Sequence, residues 1–144
     1  MAGTFFAFSV FVMSALARLP SAQGIAAMQS INITVLNPVF MSVFMGTAAS
    51  CLVVAVSSCV KWQQPGAFWL LIGSLLYLLG TFGVTIAFNV PLNDALASAK
   101  PNSVEGAHLW ASYLSVWTMW NHVRTLAALG ATASFVLALW QRAS

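Results

Sequence analysis

The chain has 144 residues, 60% of them hydrophobic and only 5% charged, with mean hydropathy +0.90 and a formal net charge of +3. Soluble domains carry about 25% charged residues, so a water-facing surface is excluded, and so much apolar area excludes a disordered chain. The cations Arg18, Lys61, Lys100, Arg124 and Arg142 are scattered, which excludes the clustered patch that nucleic acid requires.

An all-α integral membrane protein is the class that remains, and the first spanning candidate starts at once. Residues 2–17, AGTFFAFSVFVMSALA, set Gly3, Ala7 and Ser14 among Phe5, Phe6, Phe8 and Phe11. That mixture suits close packing on one side and lipid on the other, at the short edge of the spanning range of roughly 17–25 residues. Arg18, Leu19 and Pro20 end it. No basic region precedes the apolar run and no small-residue cleavage signal follows it, so no secretory leader is expected.

Residues 21–36, SAQGIAAMQSINITVL, are too polar to face lipid all round. Gln29 and Asn32, three apart, share one helical face that points into a bundle or lies in the interface. Asn32 also begins a glycosylation sequon, which an interior position leaves without use. Asn37–Pro38 marks a kink or a restart. Residues 38–60 are long enough to span, and Ser42, Gly46, Ala49 and Ser50 form a small-residue seam on which a neighbouring helix would pack. Cys51 and Cys59, eight apart and without histidine or acid neighbours, read as small packing residues rather than a disulfide or metal pair.

Lys61, Trp62 and the QQPG after them form an interfacial turn. The clearest spanning helix follows over 67–88, where Gly66, Gly73 and Gly80 recur at seven as a close-packing line. Thr81, Thr85 and Asn89 recur at four as a polar line on the same segment. Pro91, bracketed by Asn89 and Asn93, is expected to break that helix, and Asp94 to begin a polar connection through Lys100, Pro101 and Glu105. The last helix has Ser103 as a plausible cap and its apolar span at 112–140. The stretch WTMWNHVRT, 117–125, opens that span with Trp117, Asn121 and Arg124 on one face and Thr118, His122 and Thr125 on the adjoining one.

The expected architecture is one domain over 1–144: a transmembrane four-helix bundle with spans near 2–18, 37–60, 67–88 and 112–140 and a kinked or two-part second helix. The modest surplus of cations at Lys61 and Arg142 places both termini in the cytoplasm. Gln29, Asn32, Asn89, Asn93 and the 117–125 stretch then fall in one half of the membrane, which predicts a cavity rimmed by tryptophans and floored by amides.

Each residue of that set has two readings. His122 is a neutral base, or a hydrogen-bonded tie between helices. Arg124 holds an anionic intermediate, or it reaches lipid phosphates or pairs with Asp94 or Glu105. Asn89, Asn93 and Asn121 are donors to an oxyanion, or interhelical glue. Trp110, Trp117 and Trp120 stack on a flat ligand, or anchor the interface. His108 reads as an ordinary surface histidine. It stands fourteen residues from His122, about 21 Å along a helix, so the two cannot share a metal within one subunit.

The stretches AGTFFAFSVFVMSAL (2–16), MQSINITVLNPVF (28–40), TIAFNVPLN (85–93) and WTMWNHVRT (117–125) resemble the anthrone oxygenase-like integral membrane proteins, a largely bacterial family. The resemblance implies oxidation of an anthrone to an anthraquinone by O2 without metal or flavin. It carries Asn89, Asn93, Trp117, Asn121, His122 and Arg124 as the polar set. The enzymatic expectation is therefore a cofactor-independent oxygenase of a flat phenolic or quinone-type molecule. In it His122 takes a proton, and Arg124, Asn121 and Asn89 stabilise the anion. Asn93, Trp110, Trp117, Trp120, Gln29 and Asn32 would contact the ligand. The alternatives are a non-catalytic membrane subunit or lipid- or quinone-binding protein, and a haem or metal protein. Expected partners are membrane lipid, a small hydrophobic aromatic ligand, and a second copy or partner membrane subunit. The expected site is the bacterial inner membrane.

Overall fold

The computed structural model describes residues 1–143, and they are helical throughout apart from short turns. Five helices follow in order: α1 (Ala2–Leu16), α2 (Ser21–Thr34), α3 (Pro38–Val60), α4 (Ala67–Ala97) and α5 (Val104–Ala143). Three of them, α3, α4 and α5, are long and apolar enough to cross a membrane, and α1 is a shorter apolar helix.

The Asn37–Pro38 pair ends one helix and starts the next, so α2 and α3 are two helices and not one bent rod. Asn37 Oδ1 accepts from the Phe40 N–H at 3.0 Å, its Nδ2 donates to Thr34 O at 3.0 Å, and Pro38 fills the first helical position. That position has no intrahelical use for an N–H, which is why proline fits there. The turn from α3 to α4 depends on Gly66, whose φ of +79° is open to few other residues and where an added Cβ would meet Ala138 O of α5 at 2.6 Å. Arg142 Nε donates to Pro65 O at 3.2 Å and ties the end of α5 to the same turn.

The glycine line of α4 meets α5. A side chain at Gly73 would strike Phe135 at 2.8 Å, and one at Gly80 would strike Ala127 Cβ at 2.5 Å. On α3 the expected seam faces the other way: Ser42, Gly46, Ala49 and Ser50 are exposed apart from their own helix, and Phe44, Ala48, Cys51, Ala55 and Ser58 are buried. The glycines of α4 face α5, and α3 presents the Phe44 ring to the core. Cys51 is buried as a packing residue, and Cys59 is exposed.

Pro91 does not break α4. The preceding segments Leu76–Gly83 and Thr85–Asn89 are wound as π-helix, with the Val90 N–H bonded to Thr85 O, and Pro91 then falls in the first turn of the α-helical segment Val90–Ala97. The wider turn removes the clash that a proline ring makes with the carbonyl four residues back. On α5, Ser103 Oγ accepts from the Gly106 N–H at 2.9 Å and starts the helix at Val104, eight residues before the apolar span.

The 23 residues of α3 measure about 34 Å, whereas the 40 of α5 measure about 60 Å. With Ala138 level with Gly66, the start of α5 therefore projects beyond the start of α3. There it packs with α2 and the end of α4 in a cap whose core is Ile25, Met28, Leu96, Trp110 and Tyr113, joined by Met13 and Leu16 from the end of α1.

Candidate functional site

Below this cap lies a cavity of about 540 Å³, walled by all five helices. Phe5, Phe8, Phe40, Phe44 and Phe82 give it an aromatic lining, and Trp117, Asn121 and Arg124 supply one wall from α5. Positions 117, 121 and 124 fall on one helical face, so about two turns of α5 deliver a ring, an amide and a cation together.

Arg124 is 5% exposed. Its Nη2 donates to Asn121 Oδ1 at 2.6 Å and its Nη1 to Thr85 Oγ1 at 3.2 Å, while Nε has no partner. The guanidinium carbon sits 4.6 Å from the Phe5 ring centre and 5.1 Å from that of Trp117. Cation–π contact of this kind is worth about 2 kcal/mol or more where the charge is desolvated. Neither of its side-chain hydrogen-bond partners is a carboxylate. Asn121 is fully engaged: its Nδ2 donates to Phe5 O at 2.8 Å and to Ser9 Oγ at 2.7 Å. Both hydroxyl partners lie in π-wound stretches, Ser9 in Phe8–Val12 and Thr85 in Thr85–Asn89. Such turns are frequent at functional sites.

Asn93 is oriented by its neighbours. Tyr113 Oη donates to its Oδ1 at 2.8 Å and Trp117 Nε1 at 2.8 Å. An indole nitrogen can only donate, so the oxygen of Asn93 must face it and Nδ2 is left for the cavity. Asn32 also lines the cavity, and its buried Nδ2 has no hydrogen-bond partner.

Of the residues expected at the site, Gln29, Asn32, Asn93, Trp117, Asn121 and Arg124 line the cavity together. Gln29 is committed elsewhere: its Nε2 donates to Leu96 O at 2.8 Å and Ala99 O at 3.1 Å, capping the end of α4. Asn89 is buried but is not a lining residue, and its Nδ2 donates to Trp117 O at 3.3 Å. His122, Trp120 and Trp110 stand outside. His122 is exposed, because one residue beyond Asn121 turns the side chain about 100° around the helix and away from the interior. Trp120 stacks on Phe88 at 3.7 Å, and Trp110 covers Gly24 in the cap. None of these three lines the cavity.

Ser9, Thr85, Tyr113 and Asp94 belong to the site's polar framework, although sequence reasoning did not place them there as site residues. Thr85 was visible in the four-residue polar line of α4. Asp94 is helical, because the chain runs on as helix through Pro91, and it lines the cavity. Nothing in the local pattern marks Ser9 or Tyr113. Among the described residues no three His, Cys, Asp or Glu side chains converge as a metal site.

The model of the anthrone oxygenase family matches residues 40–134, which takes in nearly all of α3, the whole of α4 and α5 as far as Ser134. No curated protein and no solved structure matches the chain. The matched stretch carries Asn93, Trp117, Asn121 and Arg124, and by this match over most of its length the chain belongs to the anthrone oxygenase family.

Proposed function

We propose that the cavity binds a flat, apolar molecule that carries an acidic C–H and an oxygen on which the resulting anion rests, and that the protein oxidises it with O2. The observation that carries this reading is Arg124, a buried cation on an aromatic-lined wall whose Nε has no partner and whose neighbours are neutral. In a water-poor site an anion placed against it is stabilised far more than in water. Asn93 Nδ2 and Asn32 Nδ2 are further donors for a carbonyl or phenolic oxygen.

For an anthrone, loss of one proton from the ring CH2 gives an anion with its charge on the ketone oxygen, facing Arg124. Among the described residues Asp94 is the carboxylate that lines the cavity, and it serves as proton acceptor. The anion gives its electrons to O2, a C–O bond forms, and protonation yields a hydroperoxide. Loss of water from that CH–OOH group leaves the second carbonyl, so CH2 and O2 become C=O and H2O. The anion is itself the reductant.

The same reading takes α1 as a fourth span, making residues 1–144 one transmembrane four-helix domain whose second span is preceded by the separate helix α2. Both termini lie in the cytoplasm of a bacterial inner-membrane protein, and bound lipid surrounds the exposed apolar faces.

Protein in lipid nanodiscs, given an anthrone under 18O2, is expected to form anthraquinone with one labelled oxygen, faster than protein-free nanodiscs. Equal rates with and without protein would overturn the oxygenase reading. A second reading, binding of a lipid or quinone without chemistry, is favoured by the unpartnered amide of Asn32, which suits a neutral carbonyl. It predicts a co-purified quinone or lipid and no oxygen uptake.

A further inference from the structure

Several residues line the cavity and are also exposed, and apart from Thr4 on α1 the ones on α2, α3 and α4 edge one flank. Ile33, Leu36 and Met45 stand on the side of the α2–α3 turn, 75%, 67% and 48% exposed; Ile86 and Val90 stand opposite them on α4, 54% and 40% exposed. These two rows edge a slot. Its sides are apolar over the depth where α3 and α4 cross the membrane, and only at its upper end does it reach an exposed carboxylate, Asp94. Met45 lies seven residues into α3, about 10 Å from the helix start, well inside the hydrocarbon layer of a spanning helix.

Three other approaches are packed. Towards water the roof is the cap, where Ile25 and Met28 pack with Leu96, Tyr113 and Trp117, and Gln29 bolts α2 to the end of α4. Between α4 and α5 the glycine contacts leave no gap at Gly73 and Gly80. Between α1 and α5 the Asn121 bonds to Phe5 O and Ser9 Oγ hold the helices together. The rim itself is stapled: Asn37 bonds to both Thr34 O and the Phe40 N–H and fixes the turn between α2 and α3.

An apolar rim offers water no hydrogen bonds, but it lets a lipid-dissolved molecule pass without desolvation. Arg124, Asn32 and Asn93 then meet the polar end of whatever enters. We propose that this cavity is filled sideways from the bilayer, through the slot between the α2–α3 turn and α4, by a membrane-dissolved amphiphile with an oxygen acceptor on an apolar body. The proposal deepens the reading of the cavity as a ligand site and is independent of the oxidation step.

The test uses the full chain in nanodiscs containing a phospholipid with a diazirine midway along one acyl chain, a probe that cannot leave the bilayer. After photolysis the labelled residues are located by mass spectrometry. Labelling is expected at the interior Phe44 and Phe82 as well as at outward-facing Leu79 and Val56. Ile86→Trp and, independently, Met45→Trp are expected to cut the interior label several-fold. Leu79→Trp, off the slot, is expected to leave it unchanged. Each variant is first shown to elute as a single folded species. Label at Leu79 and Val56 with none at Phe44 or Phe82 overturns the route, as does interior label that neither rim variant reduces. Interior label in a protein that oxidises no anthrone keeps the route and removes the oxygenase reading; oxidation without interior label does the reverse.

Discussion

Arg124 sets the energetic problem at the scale of single residues. Burying an unpaired guanidinium costs several kcal/mol after relaxation, and here neutral groups offset it: Asn121, Thr85 and the faces of Phe5 and Trp117. Asn121 is the hinge of that arrangement, since it accepts from Arg124 and donates to α1. Asn121→Leu is expected to lower stability by about 1.5–3 kcal/mol, the range for a bond to a charged group, read as a fall in the thermal midpoint in nanodiscs. Asn93 holds two donors at once. Tyr113→Phe removes one of them and costs about 1 kcal/mol, while Asn93→Leu strands both Tyr113 Oη and Trp117 Nε1 at about 1–3 kcal/mol each. Unfolding of the two variants side by side checks that ordering, and equal losses would contradict it. The sequence period correctly joined Trp117, Asn121 and Arg124 on one face. It cannot say which face looks inward, and His122, one position on, is exposed.

At the scale of helices, what was legible was whatever depends on local backbone chemistry. The Asn37–Pro38 restart, the Ser103 cap and the glycine line of α4 all follow from residue types with few conformational alternatives. What was not legible depends on neighbours. Pro91 reads as a breaker in any isolated helix, and only the π-wound turns before it let α4 continue to Ala97. The seam on α3 has the spacing of a packing face, yet the face that meets the core is Phe44, Ala48, Cys51, Ala55 and Ser58. Gly80→Leu should therefore destabilise the α4–α5 contact by about 1–3 kcal/mol through overpacking, whereas Gly46→Leu, with nothing within 4 Å of its Cβ position, should be close to neutral. Comparison of their thermal midpoints decides it. Gln29→Ala removes the donor from Leu96 O and Ala99 O and is expected to speed amide exchange in residues 21–34 and 90–99 while leaving α3 protected.

For the molecule as a whole, the helices differ in length for a reason that bears on function. The long α4 and α5 project beyond the start of α3, and α2 folds back onto the projection to make a cap. The cap closes the watery end of the space left beside the start of α3, and that space is the cavity. That Asn32, Asn93, Trp117, Asn121 and Arg124 come together was readable from the order and length of the helices. The exclusion of Trp110 and Trp120 was not, because it depends on the cap and on the Trp120–Phe88 stack. The central claim is that the cavity works through Arg124 and not through His122. Oxygen uptake with an anthrone, measured for wild type, Arg124→Met and His122→Ala in the same nanodiscs, tests it most directly. The expected result is a rate near the protein-free background for Arg124→Met and a rate within about twofold of wild type for His122→Ala, a margin of about 0.4 kcal/mol in the barrier. Wild-type activity in Arg124→Met, or its loss in His122→Ala with the fold intact, would contradict it.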